Sequence, residues 1–363
     1  MSENMNAAAR LPAQAATRAA NGFTPAILAA AKRLGLRHVR ADALSIRRRR
    51  CGKGWTYLGA GGRTIREAAT VRRLASLAVP PAYQDVLYAQ DPAAHLQAVG
   101  RDAAGRLQYR YHPDWEKVRE SRKARRLARL ADVLPRIRRS VAQYLATNNP
   151  TREFAYAAVI ELVARSAIRP GSESYARLHG TRGAATLLKS NVTVYGEAIT
   201  LSFRSKGGKP VVKEFSAPRL AAALLLLREL PGRRLLQYRG DDQTVRPVRA
   251  RDVNAFLREI AGEKISLKDF RTLLASASVL EALARATPAT SERKRRKQVL
   301  EAVRAAAEDL TNTPAICRKS YVHATVVAAF EDGVLERFSE TLNACRSPTR
   351  RAQVLAQIMA AAT

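Results

Sequence analysis

Cysteine is scarce in this chain. Cys51, Cys317 and Cys345 are odd in number and far apart among 363 residues, so they suggest neither a disulfide framework nor a zinc site, and a reducing compartment is expected. Histidine is scarce too. His38, His95, His112, His179 and His323 show no His-x-x-x-His or His/Cys ligand spacing. Acids are the third shortage: Asp and Glu total 31 against 63 Lys and Arg, and no acid pair sits at helical spacing beside a histidine, which removes the ligands of two-metal nuclease chemistry. Gly52-Lys53-Gly54 is too short to be a phosphate-binding Walker A loop, and Gly-x-Ser-x-Gly does not occur. No apolar run approaches the ~20 residues needed to span a bilayer. Residues 1–22 lack the continuous apolar core of a secretion signal and read as a disordered basic tail.

What the chain has in excess is positive charge. The formal net charge is +32, on a composition (47% hydrophobic, 26% charged) that is globular rather than disordered. Such a charge repels the compact state and calls for a polyanionic partner: DNA, RNA or an anionic membrane surface. Biased genome composition explains the choice of Arg over Lys, but not a twofold excess of bases over acids. Nucleic acid is the expected partner, with no membrane and no small-molecule substrate.

The length suits two domains. Residues 23–36 read as a short amphipathic helix stopped by Gly35, and 45–65 as a strand, a glycine-rich connection and a second strand. Within it, Arg47 to Arg50 is either a phosphate-facing edge or a solvated one. Pro80-Pro81 precedes a β-prone segment, and 95–115 alternates around a turn at Ala103-Ala104-Gly105. Residues 23–115 therefore predict a small α+β domain with an antiparallel sheet. Residues 116–127 are dense in charge and start a helix that leads into a second, mostly helical domain, 128–345, followed by a tail, 346–363. Helices are predicted at 128–146, 153–167, 217–229, 251–262, 267–286, 293–310 and 322–342. One small sheet interrupts them, with strands Val192–Tyr195, Ile199–Phe203 and Val211–Phe215 joined by Gly-containing turns.

Four segments of the second domain hold cations and a tyrosine in unusual settings. Arg169 ends an apolar helix just before Pro170-Gly171. Lys206 sits where a strand enters a hairpin turn. Arg271 lies inside a largely apolar helix, where a charge needs a partner or an anionic ligand. Asn312 precedes a helix start at Pro314, and Tyr321 follows nine residues after Asn312. Each has a plainer explanation: Arg169 paired with Glu161 or Glu173, Lys206 solvated, Arg271 capping a helix, Tyr321 in the core.

Taken in order, with "IRRRRCGKGWTYLG", "LAVPPAYQDV", "GRDAAGRLQYRYHP", "DVNAFLREIAGEKISLKDFRT" and "NTPAICRKSYVH", they resemble the type IB DNA topoisomerases of the poxvirus and bacterial kind over roughly residues 40–335. The resemblance implies two domains forming a clamp around duplex DNA, and relaxation of positive and negative supercoils without ATP, metal or any other cofactor. It implies that Tyr321 attacks a backbone phosphorus to form a 3′-phosphotyrosyl bond and that Arg169 and Arg271 grip the non-bridging oxygens. It implies as well that Lys206 helps protonate the departing 5′-oxygen and that Asn312, where viral members carry His and bacterial members Asn, donates a neutral hydrogen bond. Gln108, Tyr109 and Tyr111 are implied DNA contacts in the first domain, as are Tyr175, Lys209, Arg318 and Lys319 in the second. A monomer acting on the nucleoid in the cytoplasm of a bacterium is the matching expectation. The chain departs from the family pattern at Thr311, commonly Gly, at Pro170-Gly171-Ser172-Glu173, commonly Val-Gly-Asn-Glu, and at Leu273, often aromatic.

The chemistry asks for these residue types. A free tyrosine with a pKa near ~10 is only about 0.1% phenolate at pH 7, a handicap of roughly 4 kcal/mol that adjacent guanidiniums reduce. Two alternatives stand beside this reading. A tyrosine recombinase uses a similar residue set, but residues 45–112 look β-rich rather than helical, and His-x-x-Arg is replaced by Lys268-Asp269-Phe270-Arg271. A non-enzymatic DNA-binding protein fits the charge but does not require Tyr321 or Arg271 in their settings.

Overall fold

A computed structural model describes residues 23–344 and 348–361; the reading of 1–22 as a tail lies outside them. The chain is mixed α and β and divides into two compact units between Arg122 and Lys123. In the N-terminal unit a first helix, α1 (Pro25–Arg33), precedes strands β1 (Ile46–Cys51) and β2 (Gly54–Leu58), then helix α2 (Ala68–Ser76), then β3 (Gln84–Tyr88), β4 (Leu96–Arg101) and β5 (Leu107–Tyr111). The strands form one antiparallel sheet in the order β2-β1-β3-β4-β5. Strand alternation sends Ile46, Tyr57, Val86 and Tyr88 to the face covered by Leu74 of α2, and an irregularity between Leu96 and Ala98 lets Ala98 join that face while Leu96 and Val99 both meet Ala41, Leu44 and Ala94 on the other.

Period two also resolves the arginine run. Arg47 and Arg49 are exposed, whereas Arg48 donates to the carbonyls of Val79 (3.0 Å), Pro80 (2.8 Å) and Tyr83 (2.8 Å) and lies 4.0 Å from the Trp55 ring centre. Arg48 is neither a phosphate edge nor a solvated one; it ties the Pro80-Pro81 loop to the sheet.

The C-terminal unit is built on helix α4 (Arg152–Ser166), which follows the long helix α3 (Trp115–Ala146). Phe154 to Ile160, Leu162 and Val163 are all buried, so α4 is apolar nearly all round and forms the centre of the core. Around it lie α5 (Glu173–His179), α6 (Pro218–Glu229), α7 (Ala250–Ala261), α8 (Leu267–Ala284) and α9 (Glu292–Asp309). The short α10 (Pro314–Ser320), α11 (Ala324–Glu331) and α12 (Ser339–Asn343) follow, with α13 (Pro348–Ala361) last. The predicted hairpins appear as β6 (Val192–Tyr195), β7 (Ala198–Arg204) and β8 (Pro210–Ser216) in one antiparallel sheet.

Four expectations need correction. A second, two-stranded sheet, β9 (Gln237–Arg239) with β10 (Val245–Pro247), accompanies the one foreseen. Residues 322–342 are not one helix, because Gly333 at φ +72° ends α11 and a 3₁₀ turn, Val334–Phe338, intervenes before α12. Helices α2 and α5 occupy segments for which no helix was predicted. Residues 348–361 are no loose tail: Ala352, Val354, Leu355 and Ile358 of α13 are buried in the same core as α8 and α11.

Two buried histidines make stability pH-dependent. His95 accepts from the Val39 N–H at Nδ1 (3.1 Å), and burial, with His38 stacked on it, lowers its pKa to about 4. His323 caps α11, accepting from the Thr325 N–H (3.1 Å), and burial, with Lys123 nearby, lowers its pKa to about 4 as well. Both folded values lie below the unfolded value of ~6.5, so between those pH values the unfolded chain binds more protons. Their stability is therefore complete above pH ~6.5 and is lost as pH falls toward 4, by about 3 kcal/mol for each histidine. Thermal midpoints should hold steady from pH 8 to ~6.5 and then drop; a flat profile down to pH 4.5 would contradict this assignment.

Candidate active site

Helix α4 ends in a left-handed residue, Ala167 at φ +54°, and the chain then turns through Arg169, Pro170 and Gly171 (φ +91°). A second segment locks this turn. The Ala184 N–H donates to the Arg169 carbonyl (2.8 Å) and the Ala185 N–H to that of Pro170 (2.9 Å). Gly183 packs so closely that an added Cβ would stand 2.5 Å from both the Arg169 carbonyl oxygen and the Gly171 nitrogen. The Arg169 guanidinium then reaches Ser205 Oγ (3.1 Å) and Asn312 Oδ1 (2.6 Å). Neither carboxylate considered for it is its partner: Glu161 takes Arg165 (2.7 Å) and Glu173 takes Arg234 (2.6 Å). Gly183→Ala should consequently push the Arg169 backbone aside, lowering any rate that depends on its guanidinium by about 10²-fold through misplacement of one donor. An unchanged single-turnover rate in that variant would show that this turn does not position Arg169.

Helix α8 presents Arg271. Its first turn is fixed by a capping box in which Asp269 accepts from the Ser266 N–H (2.7 Å), while Arg126 pairs with the same carboxylate (2.6 Å). Arg271 is 1% exposed, and its guanidinium donates to the carbonyls of Ala167 and Leu310 (3.1 Å to the latter). These are the C-terminal residues of α4 and α9, where helix dipoles favour a cation. The capping explanation is thus half right, though the caps belong to other helices. Among the described residues no carboxylate partners either Arg169 or Arg271, and Nε of Arg271 is buried with no hydrogen-bond partner.

Tyr321 closes α10 and rests half-buried against the core. Its carbonyl accepts from Ser276 Oγ of α8 (3.0 Å), so one helix holds both Tyr321 and Arg271. The Arg271 Cζ lies 5.0 Å and the Lys268 Nζ 5.7 Å from the centre of the Tyr321 ring. Burial by itself raises the phenol's pKa, but the charge and hydrogen bonding of Arg271, with the charges of Lys268 and Arg169, carry it below its usual value.

Asn312 enters the site from a strained turn. Thr311, β-branched, sits at φ +51°, a region where glycine is at ease. The Asn312 amide nitrogen Nδ2 is buried with no partner among the described residues.

The remaining predicted residues make contacts of their own. Lys206 is exposed in the β7–β8 turn with its ammonium 5.5 Å from the centre of the Tyr175 ring, while its neighbour Ser205 contacts Arg169. Lys209 is exposed in the same turn, and Arg318 and Lys319 are exposed on α10, with the Lys319 carbonyl accepting from Lys123 (3.4 Å). In the N-terminal unit Gln108 donates to Asp102 (2.9 Å), and Tyr109 and Tyr111 stack on one face of β5 with centroids 6.2 Å apart.

Sequence reasoning gave no role to Ser205, Gly183, Arg126 or Lys268. Lys268 had a signal, since it lies three residues before Arg271 and so on the same helix face. Gly183 had none, because its partner is twelve residues away and meets it only in the folded turn.

On a mainly helical unit with a three-stranded hairpin sheet, a tyrosine beside guanidiniums that have no carboxylate partner among the described residues can hold an oxyanion next to a hydroxyl. Residues 112–347 match the family model of the eukaryotic DNA topoisomerase I catalytic core, and residues 54–102 that of the bacterial DNA topoisomerase IB N-terminal domain. The DNA topoisomerase 1B of Acanthamoeba polyphaga mimivirus is 30% identical over 261 residues, 69% of this chain and 77% of the viral protein. The chain belongs to the type IB DNA topoisomerase family, so it is a topoisomerase, an isomerase whose partner is DNA. No helix among the described residues is long and apolar enough to cross a membrane.

Proposed function

We propose that the protein relaxes positive and negative supercoils by transient cleavage of one DNA strand, with no nucleotide and no metal. One observation carries the reading: the buried Arg271 and the half-buried Arg169 have no carboxylate partner among the described residues, beside a tyrosine whose pKa the cations pull down. A phosphodiester supplies the charge they lack. The Tyr321 oxygen attacks the phosphorus, a tyrosyl P–O bond forms, and the bond to the 5′-oxygen breaks. Lys206 gives that oxygen its proton, since an alkoxide is a poor leaving group. Arg169, Arg271 and the free amide N–H of Asn312 neutralise charge on the non-bridging oxygens as the transition state develops. One phosphodiester replaces another at similar energy. The step therefore reverses once the free end has rotated, and supercoils relax downhill.

A monomer that clamps duplex DNA accounts for the +32 charge, with Gln108, Tyr109, Tyr111, Tyr175, Lys209, Arg318 and Lys319 as backbone or base contacts. The test is relaxation of positively and negatively supercoiled plasmid in EDTA without ATP, with denaturant added to trap the covalent complex. Relaxation of both, with protein on the 3′ end of the nick, is the expected result. A strict need for ATP or Mg²⁺, or a protein-linked 5′ end, would refute it.

A further inference from the structure

A cavity of about 370 Å³ lies behind the site, between α3, α4, α8, β8 and the end of α9. Its walls include Ala167 and Leu310, whose carbonyls hold Arg271. Part of the lining is apolar, from Leu134, Phe270, Leu273, Leu274 and Ala277. Two cations in the same lining, Arg138 and Lys213, are half-buried and form no hydrogen bond or ion pair among the described residues. The other charges are largely committed: Arg165 to Glu161, and Arg351 and Arg285 to Glu281. Two acids face the pair without bonding it: Asp309, exposed, faces Lys213, and Glu161, already paired with Arg165, faces Arg138. Burial lowers the pKa of both Arg138 and Lys213, as it does for cations deprived of water without an equal counter-charge. Arg138 and Arg165 also line an adjoining cavity of about 360 Å³.

A half-buried cation without a hydrogen-bond partner is costly, and two of them around one apolar chamber fit a ligand that is apolar in body and anionic at one edge. We propose that this cavity binds a small organic anion, an aromatic carboxylate or sulfonate, with the ring against Leu273, Leu274 and Phe270 and the anionic group between Arg138 and Lys213. Because the cavity wall includes both residues whose carbonyls hold Arg271, occupancy alters the Arg271 seat and slows relaxation. That coupling rests on the reading of Arg271 as a phosphate ligand, whereas binding itself does not.

Isothermal titration calorimetry with 1-naphthoate on the full-length protein, at moderate salt to suppress surface binding, tests the site. One-to-one binding is expected, with Arg138→Gln and Lys213→Gln each weakening it about tenfold, the value of one charge-assisted hydrogen bond. Ala277→Phe, which fills the cavity, abolishes it, and the neutral 1-naphthalenemethanol binds at least tenfold more weakly than the carboxylate. Naphthoate affinity unchanged in the folded Arg138→Gln and Lys213→Gln proteins overturns the site, as does equal affinity for the neutral alcohol. Normal binding in the wild type with relaxation untouched by saturating naphthoate overturns the coupling to Arg271.

Discussion

Tyr321→Phe leaves DNA binding close to that of the wild type but abolishes relaxation and the trapped covalent complex. The substitution removes one oxygen and keeps the ring, which packs against the core, so the loss cannot come from unfolding. The stability change should stay within about 0.5 kcal/mol, as for a partly exposed site with no packing lost. The Ser205 and Ser276 hydroxyls at the site are engaged with Arg169 and with the Tyr321 carbonyl. Plasmid relaxation, gel shift and a denaturing trap on the two proteins decide the matter. Residual relaxation in a preparation free of contaminating enzyme would move the nucleophile elsewhere.

Arg271→Met is the second large effect, and it separates function from folding. As a transition-state donor in a water-poor setting, Arg271 should contribute about 10²–10³-fold to cleavage. It also lowers the Tyr321 pKa, so the variant's cleavage rate should continue to rise to higher pH before levelling off. Stability should move differently. A buried guanidinium held by two neutral carbonyls and a phenol, with no carboxylate among the described residues, is desolvated without a full counter-charge, and replacing such a charge with an apolar side chain of similar volume is often neutral or stabilising. The thermal midpoint therefore should not fall. A collapse of the midpoint together with activity would give Arg271 to the fold alone, as a cation joining the ends of two helices.

The site and the fold differ in how far they could be read from the chain. The β-hairpins at 192–216 were visible because alternation and glycine turns are local, and the structure pairs Val192–Tyr195, Ala198–Arg204 and Pro210–Ser216 in the order foreseen. Helix α13 was not visible. Its apolar residues matter only because α8 and α11 present a surface to cover, and nothing in the local pattern announces that surface. Likewise, Arg48 and Arg49 are indistinguishable as letters. Strand pleating sends one to the carbonyls of the Pro80-Pro81 loop and leaves the other in water. The departure at Thr311 gained meaning in the same way, since its φ of +51° explains why relatives commonly place glycine there.

By itself the sequence determined the partner and the chemistry's inventory. A net charge of +32 calls for a polyanion, the shortage of cysteine and histidine removes metal-site patterns, and the family resemblance offers a tyrosine and cations as the candidate reacting groups. Residue types and their order are one-dimensional quantities, so they survive without a fold. Only the tertiary structure decided which cations lack a counter-charge. Arg165 and Arg234 found the carboxylates considered for Arg169, and Arg271 was sealed among carbonyls beside Tyr321. Ion pairing and desolvation depend on distance through space, and residues 169, 271, 312 and 321 meet only when α4, α8 and α10 pack.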